Sequence, residues 1–261
     1  LENKNKIGGR EVGQMQLLER AMTIAKVLAS EANDRSLSIS ELSTKCDLPL
    51  STLHRILKAM IKQGMIEQDE QTKHYRLGTI WMELGLQVYD TMDYISKIRP
   101  ELERLAREVE ESVYLSKPAG LDTIIIERID SAANPIRIYD QLGIRIPMHI
   151  GAANKAILAS MPDTQSKEIL EQLITKDEIA ELEGQLQNIR QQGYAISHGE
   201  RTAGTSSIAV SVQDGFGEVI GAVSIGFVNF NVSQDHINTL IERLVDTGKR
   251  VSTKLGYRGK G

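Results

Sequence analysis

The 261-residue sequence predicts an α+β protein in two parts: a small helical domain ending in a hairpin, then a larger domain on an antiparallel sheet. Three observations carry this expectation. Apolar residues recur at helical spacing in three segments before residue 64, and two short extended runs flank a polar turn after it. The second half carries six β-rich runs punctuated by Gly, Pro, Asn and Asp, with helices in its middle and at its end.

The first residues, 1–14, lack a starting Met and any periodicity, and read as a disordered tail. "MQLLERAMTIAKVLAS" then repeats Leu17, Leu18, Ala21, Ile24, Ala25 and Leu28 at helical spacing. In "SLSISELSTKC", Ser38-x-x-Glu41 is a capping-box pattern ahead of Leu42 and Cys46, and the short "DLPL" leads to a third helix over about 49–63. Pro49 suits its first turn and Gly64 its stop. Leu53, Ile56, Leu57, Met60 and Ile61 form the core stripe of that helix. Ser51, Arg55, Lys58 and Lys62 line the opposite side with His54 beside them, and no carboxylate lies between Pro49 and Gly64.

A few charges on a helix are ordinarily a solvated face. The context argues for more. Two helices joined by a tight turn make a helix-turn-helix, and "MIEQDEQTKHYRLG" supplies a wing, with runs 65–68 and 74–77 around the turn 69–73 and with Lys73 and His74 at its tip. Residues 15–78 are therefore expected to form a winged helix-turn-helix that meets double-stranded DNA through Ser51, Thr52, His54, Arg55, Lys58, Lys62, Lys73 and His74. The charge distribution agrees: residues 1–80 carry 12 Lys and Arg against 10 Asp and Glu, and the remainder 19 against 25, within a net charge of −4.

From Thr79 a linker helix is expected to about 92 within a linker segment 79–97, and Pro100 is expected to separate it from a helix over about 100–110. Trp81, at helical spacing from Leu84 and Val88, reads as interdomain or dimer packing. The larger domain, 98–257, has expected strands in "SVYLSKPAG", "DTIIIERID", "PIRIYDQLG", "YAISHGE", "TSSIAVSVQD" and "EVIGAVSIGF", the last two joined as a hairpin across "QDGFGE". Helices are expected over "GAANKAILASM", from Gln165 to Gln192, and from Gln234 to Leu255.

The single cysteine, Cys46, excludes an intramolecular disulfide framework and reads as a small buried hydrophobe in a reducing compartment. No run approaches a membrane span and no signal peptide stands out, so a cytoplasmic protein with no membrane partner is expected. No G-x-S-x-G, G-x-x-x-x-G-K-[ST] or H-E-x-x-H pattern occurs, so no enzyme, cofactor or metal is expected. Two alternatives stay open: an enzyme using His198 and Glu200 as an acid/base or metal-ligand pair, and a non-enzymatic adaptor using the winged helix for protein contacts.

The ordered set "ERAMTIAKVLAS", "LSISELSTKCDLPLSTLHRILKAMIKQGMIEQD", "HYRLG", "RPELERLA", "GIRIPMHIGAANKAILAS", "IRQQGYAISHGE" and "AGTSSIAVSV" resembles the IclR family of transcriptional regulators over nearly the full length. The resemblance implies a winged helix-turn-helix, a linker helix and a GAF-like effector domain. It further implies homodimers, often paired into tetramers, on palindromic operators; repression is the expected direction, although nothing in the sequence sets the sign. It places an effector pocket at Ala152, Ala153, Ser197, Thr205, Ser207 and Ser224, walled by Ile138 and Tyr139, with small organic or sugar acids as ligands. The residues are compatible: the helix start near Gly151 to Asn154 suits an anion, and Thr205, Ser206, Ser207 and Ser224 supply hydroxyls. Three departures stand out: Asn154 where Gly is common, Ser197-His198-Gly199 where the family is acidic, and Ser207 for a frequent Cys. They lead to the expectation of a less acidic pocket.

Overall fold

The computed structural model describes residues 4–30, 36–131, 140–230 and 232–259, with side chains from Gln16 onward. The chain divides into two compact units, residues 1–92 and 93–261. No helix among the described residues is long and apolar enough to cross a membrane.

The first unit contains α1 (Lys4–Ser30), α2 (Ile39–Cys46), α3 (Leu50–Lys62), β1 (Ile66–Gln68), β2 (Tyr75–Leu77) and α4 (Ile80–Asp90). Helix α1 runs from Lys4 and so takes in most of the stretch 1–14 expected to be a tail. Ala21, Ile24, Ala25 and Leu28 are buried, whereas Leu17 and Leu18 are exposed, so the apolar face begins one turn later than the periodicity suggests.

Ser38 and Glu41 form a complete capping box, Ser38 donating its amide to Glu41 Oε2 at 2.8 Å and accepting from the Glu41 amide at 3.3 Å. Asp47, left-handed at φ 49°, turns the chain, and Pro49 is the N-cap of α3, so the helix begins at Leu50, one position after the expected start. Leu53, Ile56, Leu57 and Met60 pack with Leu42, Ile66 and Tyr75 in one core, while Ile61 is exposed on the flank of the helix. Cys46 is only half-buried against that core, and the burial it has pushes its thiol up.

Strands β1 and β2 pair antiparallel, and Leu37 bridges Tyr75 on the far side, which ties the approach to α2 into the wing. Trp81 packs against this same core and donates its indole N–H to the Met65 carbonyl at 2.7 Å. Its partners therefore lie inside the first unit, and Leu84 and Val88 do not share them: α4 has no buried residue.

The second unit runs α5 (Asp93–Val109), β3 (Ser112–Ala119), β4 (Asp122–Ile129), β5 (Arg145–Pro147), α6 (Ala152–Ser160), α7 (Asp163–Glu171), α8 (Lys176–Gln192), β6 (Ala195–His198), β7 (Thr205–Gln213), β8 (Val219–Val228) and α9 (Gln234–Lys254). Its six strands form one antiparallel sheet in the order β5-β4-β3-β8-β7-β6. Pro100 lies inside α5 instead of ending it. The carbonyl that loses its partner belongs to Ser96, which is exposed, and the buried stripe Ile95, Ile98, Leu102, Leu105, Val109 runs past it unbroken.

The strand expected at 135–143 falls mostly outside the described residues, and 140–143 is not a strand. The edge strand is the three-residue β5 farther along. The helical stretch 165–192 is two helices, because Thr175 and Glu178 build a second capping box that restarts the chain as α8.

The sheet is a filled layer between helices. Val113, Leu115, Ile208, Val210, Val212, Val223, Ile225 and Phe227 face α5 and α9, while Ala195, Ala209 and Ala222 face α6, α7 and α8. Across the first interface, Glu101 of α5 is buried and receives Arg250 Nε at 2.9 Å, Arg104 Nε at 3.2 Å and Lys254 Nζ at 3.3 Å. Burial opposes its charge, but hydrogen bonds from Arg250, Lys254 and Arg104 outweigh that and hold the carboxyl below its usual range.

A group whose pKa falls on folding stabilises the protein above its unfolded value and loses that contribution as pH drops through the folded one. Glu101→Gln should therefore lower stability by about 2 kcal/mol at neutral pH, less than the ~3–5 of a fully buried pair because Arg250 and Lys254 are half-exposed. The deficit should shrink below pH 4, and urea unfolding at pH 7 and pH 3.5 checks both parts.

Candidate functional site

Two constellations stand out, one in each unit. In the first, burying Leu53, Ile56, Leu57 and Met60 turns the other side of α3 outward. Ser51, His54, Arg55, Lys58 and Lys62 are exposed and Thr52 half-exposed. Among the described residues, Arg55, Lys58 and Lys62 make no ion pair, in keeping with the absence of carboxylates from 49 to 64.

The wing tip is shaped by Asp69, whose carboxylate accepts the amides of Thr72 at 2.7 Å and Gln71 at 3.0 Å and the Thr72 hydroxyl at 2.9 Å. The Thr72 amide and hydroxyl hold its carboxyl below the usual range. Lys73 closes the turn in the left-handed region at φ 58° and is exposed, with His74 half-exposed beside it. Arg76, in contrast, is engaged with Glu67 across the hairpin at 2.9 Å.

The second constellation is a cavity of about 70 Å3, measured to water centres, on the α6 side of the sheet. Antiparallel register builds its floor. Tyr114 lies opposite Ser224, and Gly226 opposite Ser207, which in turn lies opposite Ser197. Because side chains alternate, these strands present hydroxyls and small groups to the cavity and large apolar groups to α5 and α9. Ser197 and Ser207 share a hydrogen bond of 2.9 Å. Burial, with the nearby Asp140 charge, pushes the Tyr114 phenol up to about 12, so it remains a neutral hydroxyl through the physiological range.

The N-terminus of α6 forms one wall. Gly151, at φ 86°, takes a conformation natural only to glycine, and the amides of Ala152 and Ala153 find no acceptor among the described residues. Asn154 also borders the cavity, but its side chain is engaged: it accepts the Thr123 hydroxyl at 2.6 Å and donates to the carbonyls of Pro147 at 2.8 Å and Ile146 at 3.2 Å. That is the role of the departure from glycine, to fasten β5 to α6.

Ala152, Ala153, Ser197, Thr205, Ser207 and Ser224 all line the cavity, while Ile138 and Tyr139 lie outside the described residues. Residues not singled out as pocket residues complete it: Tyr114, Ser116, Asp140, Glu200 and Arg201. Tyr114 and Ser116 were detectable in principle, since they share strand parity in "SVYLS". Asp140 and Arg201 come together at 2.7 Å from 61 residues apart, which no local pattern signals. The expectation of a less acidic pocket needs amending: two carboxylates line it, each paired with a cation, Asp140 with Arg201 and Glu200 with Lys155.

His198 and Glu200 do not act as a pair. His198 Nδ1 meets the Ser206 hydroxyl at 2.6 Å, whereas Glu200 bonds the Gly151 amide and Lys155. Among the described residues no cluster of three His, Cys, Asp or Glu could hold a metal.

Two family models match this chain: the IclR helix-turn-helix domain over residues 17–70 and the bacterial transcriptional regulator IclR C-terminal domain over 86–253. The chain belongs to the IclR family. Relatives in that family include the HTH-type transcriptional regulator KdgR of Dickeya chrysanthemi, 30% identical over 94% of this chain and 82% of its own length. The HTH-type transcriptional repressor AllR of Escherichia coli K12 is 28% identical over 93% of this chain and 91% of its own.

Solved IclR structures share the fold. An Alicyclobacillus acidocaldarius regulator matches with TM-score 0.75 at 23% identity, over 92% of this chain and 99% of its own. An IclR homolog from Microbacterium hydrocarbonoxydans, complexed with 4-hydroxybenzoate, matches with 0.73 at 23%, over 92% and 98%. As an IclR-family protein the chain is a DNA-binding transcriptional regulator with an effector-binding C-terminal domain, and not an enzyme.

Replacing Asn154 should show what it holds. Asn154→Ala strands the Thr123 hydroxyl and two carbonyls, at a cost of about 2 kcal/mol of unfolding free energy, whereas Asn154→Asp should fare no better because it cannot donate to the Ile146 and Pro147 carbonyls. Chemical denaturation of both variants measures this.

Proposed function

We propose that this protein is an operator-binding repressor whose DNA affinity is set by a small carboxylate effector, an organic or sugar acid, held at the α6 end of the C-terminal cavity. The observation that carries the DNA assignment is the outward face of α3: exposed Ser51, His54, Arg55, Lys58 and Lys62, with no carboxylate on the helix to neutralise it. Thr52 at the same helix start, and Lys73 and His74 on the wing, extend that surface. Arg55 and Lys58 are suited to phosphates or guanine edges, and Ser51 and Thr52 to bases or phosphates near the N-terminus of the helix.

For the effector, Ala152 and Ala153 offer free amides, and Ser197, Thr205, Ser207 and Ser224 offer hydroxyls. Ile138 and Tyr139 are assigned as walls by family likeness alone. The carboxylate class has support in the Microbacterium homolog, whose bound 4-hydroxybenzoate carries one, and the repressor reading in the relatives named repressors.

The active species is proposed to be a homodimer on a palindromic operator, with dimers pairing into tetramers. Helix α4 supports this: Met82, Leu84, Leu86 and Val88 are 50–61% exposed on a helix with no fully buried residue, past the partly buried Trp81. Regulation then follows from linkage. An effector that binds one arrangement of the dimer better shifts the population toward it, and operator affinity changes by that differential affinity.

Operator fragments and fluorescence anisotropy test the assignment. Wild-type affinity should fall steeply with salt, and Arg55→Ala should weaken binding by about 1–3 kcal/mol per contact, relaxing sequence preference if Arg55 reads a base or lowering the salt slope by about one if it meets a phosphate. Binding indifferent to salt and to Arg55→Ala would instead support a protein-contact role for the winged helix. A thermal-shift series of organic and sugar acids identifies the effector, and a hit that leaves operator binding unchanged would exclude the switch.

A further inference from the structure

Glu200 already occupies part of the anion-favouring end of α6. Its Oε2 accepts the Gly151 amide at 2.7 Å and its Oε1 accepts Lys155 Nζ at 2.6 Å. The Lys155 side chain is 8% exposed, and a buried ammonium is costly without a carboxylate beside it. The cavity lies next to that pair. Ser116 and Ser224, 2% and 7% exposed, line it with hydroxyls that have no hydrogen-bond partner among the described residues, and the Ala152 and Ala153 amides are likewise open.

The segment carrying Glu200 is suspended between two left-handed glycines, Gly199 at φ 65° and Gly204 at φ 78°, each with open space where a Cβ would stand. Its next residue, Arg201, is tied to Asp140 at 2.7 Å.

We propose that Glu200 is a displaceable internal ligand, its carboxylate holding the seat made by the Gly151 amide and Lys155 until an effector carboxylate takes that seat and expels it. This rests on the cavity being the effector site. The exchange is balanced in charge, since one carboxylate replaces another on Lys155. A neutral polyol would leave the buried ammonium with only the neutral Gln185 oxygen at 3.0 Å and no opposite charge, and does not drive it. The ligand class is therefore a carboxylate bearing further oxygens for Ser116 and Ser224, and its apparent affinity is lowered by the fraction of molecules in which Glu200 is seated.

Acetate is the probe, because it restores the γ-carbon and the carboxylate that Glu200→Ala removes. Full-length wild type, Glu200→Ala and Glu200→Gln are titrated with acetate while the melting temperature and the amide resonances of 15N-alanine at Ala152 and Ala153 are followed. Glu200→Ala should melt lower than wild type, regain its melting temperature with acetate, and shift both amides at least tenfold lower in acetate concentration than wild type. Glu200→Gln, which keeps an acceptor but loses the charge, should lie between, and it carries the comparison if the alanine variant folds poorly. An equal acetate response in wild type and variants at those amides overturns the internal ligand and leaves the effector site standing. No response of those amides in any of the three overturns both.

Discussion

The larger domain depends on how β7 and β8 divide their side chains. In β7, Ile208, Val210 and Val212 alternate with Ser207, Ala209 and Ser211; in β8, Val223, Ile225 and Phe227 alternate with Ala222, Ser224 and Gly226. One face thus carries the bulk that fills the space beneath α5 and α9, and the other carries only small groups. Small groups let α6, itself built from Ala152, Ala153, Ala156 and Ala159, lie close to the sheet, with Ser160 and Ser211 in hydrogen-bond contact at 2.7 Å. Where that packing runs out, at the N-terminal end of α6, the same pattern leaves hydroxyls facing a gap, and the gap is the cavity.

A helix that starts at the edge of a cavity leaves its first amides in need of acceptors. Here the needs are met unequally. Asn154 spends its side chain on β5, Glu200 serves Gly151 and the buried Lys155, and the amides of Ala152 and Ala153 stay open. Asn154 and Lys155 anchor the site from α6, and a segment flanked by the left-handed Gly199 and Gly204 carries Glu200. In the smaller domain, the capping box, the Asp47 turn and the Leu37 bridge to Tyr75 present α3 as a fixed surface.

Much of this was legible along the chain, because short-range physics wrote it. The 3.6 period of α3, the Ser38-Glu41 box, the polar wing turn and the β7-β8 hairpin are set by residues within a few positions of one another. The failures share a cause too. Pro100 reads as a break until Ser96, whose carbonyl loses its helical partner, is found on the exposed side of α5, and Ile61 reads as core until the stripe proves narrower than five residues. The split between α7 and α8 was available in Thr175-x-x-Glu178 but hidden by the longer periodic stretch around it.

The sequence by itself determined most of the helices and strands, the two-part organisation and the charge character of the α3 face, because propensity, capping and periodicity act over one or two turns. Only the tertiary structure decided which distant groups meet. Asp140 with Arg201, Thr123 with Asn154, and Glu200 with Gly151 and Lys155 are separated by 31 to 61 residues, and each pair forms because the sheet order and the approach of α6 bring its members within hydrogen-bond range. Such pairs depend on the closure of the whole domain, and their chemistry leaves no local trace in the order of residues.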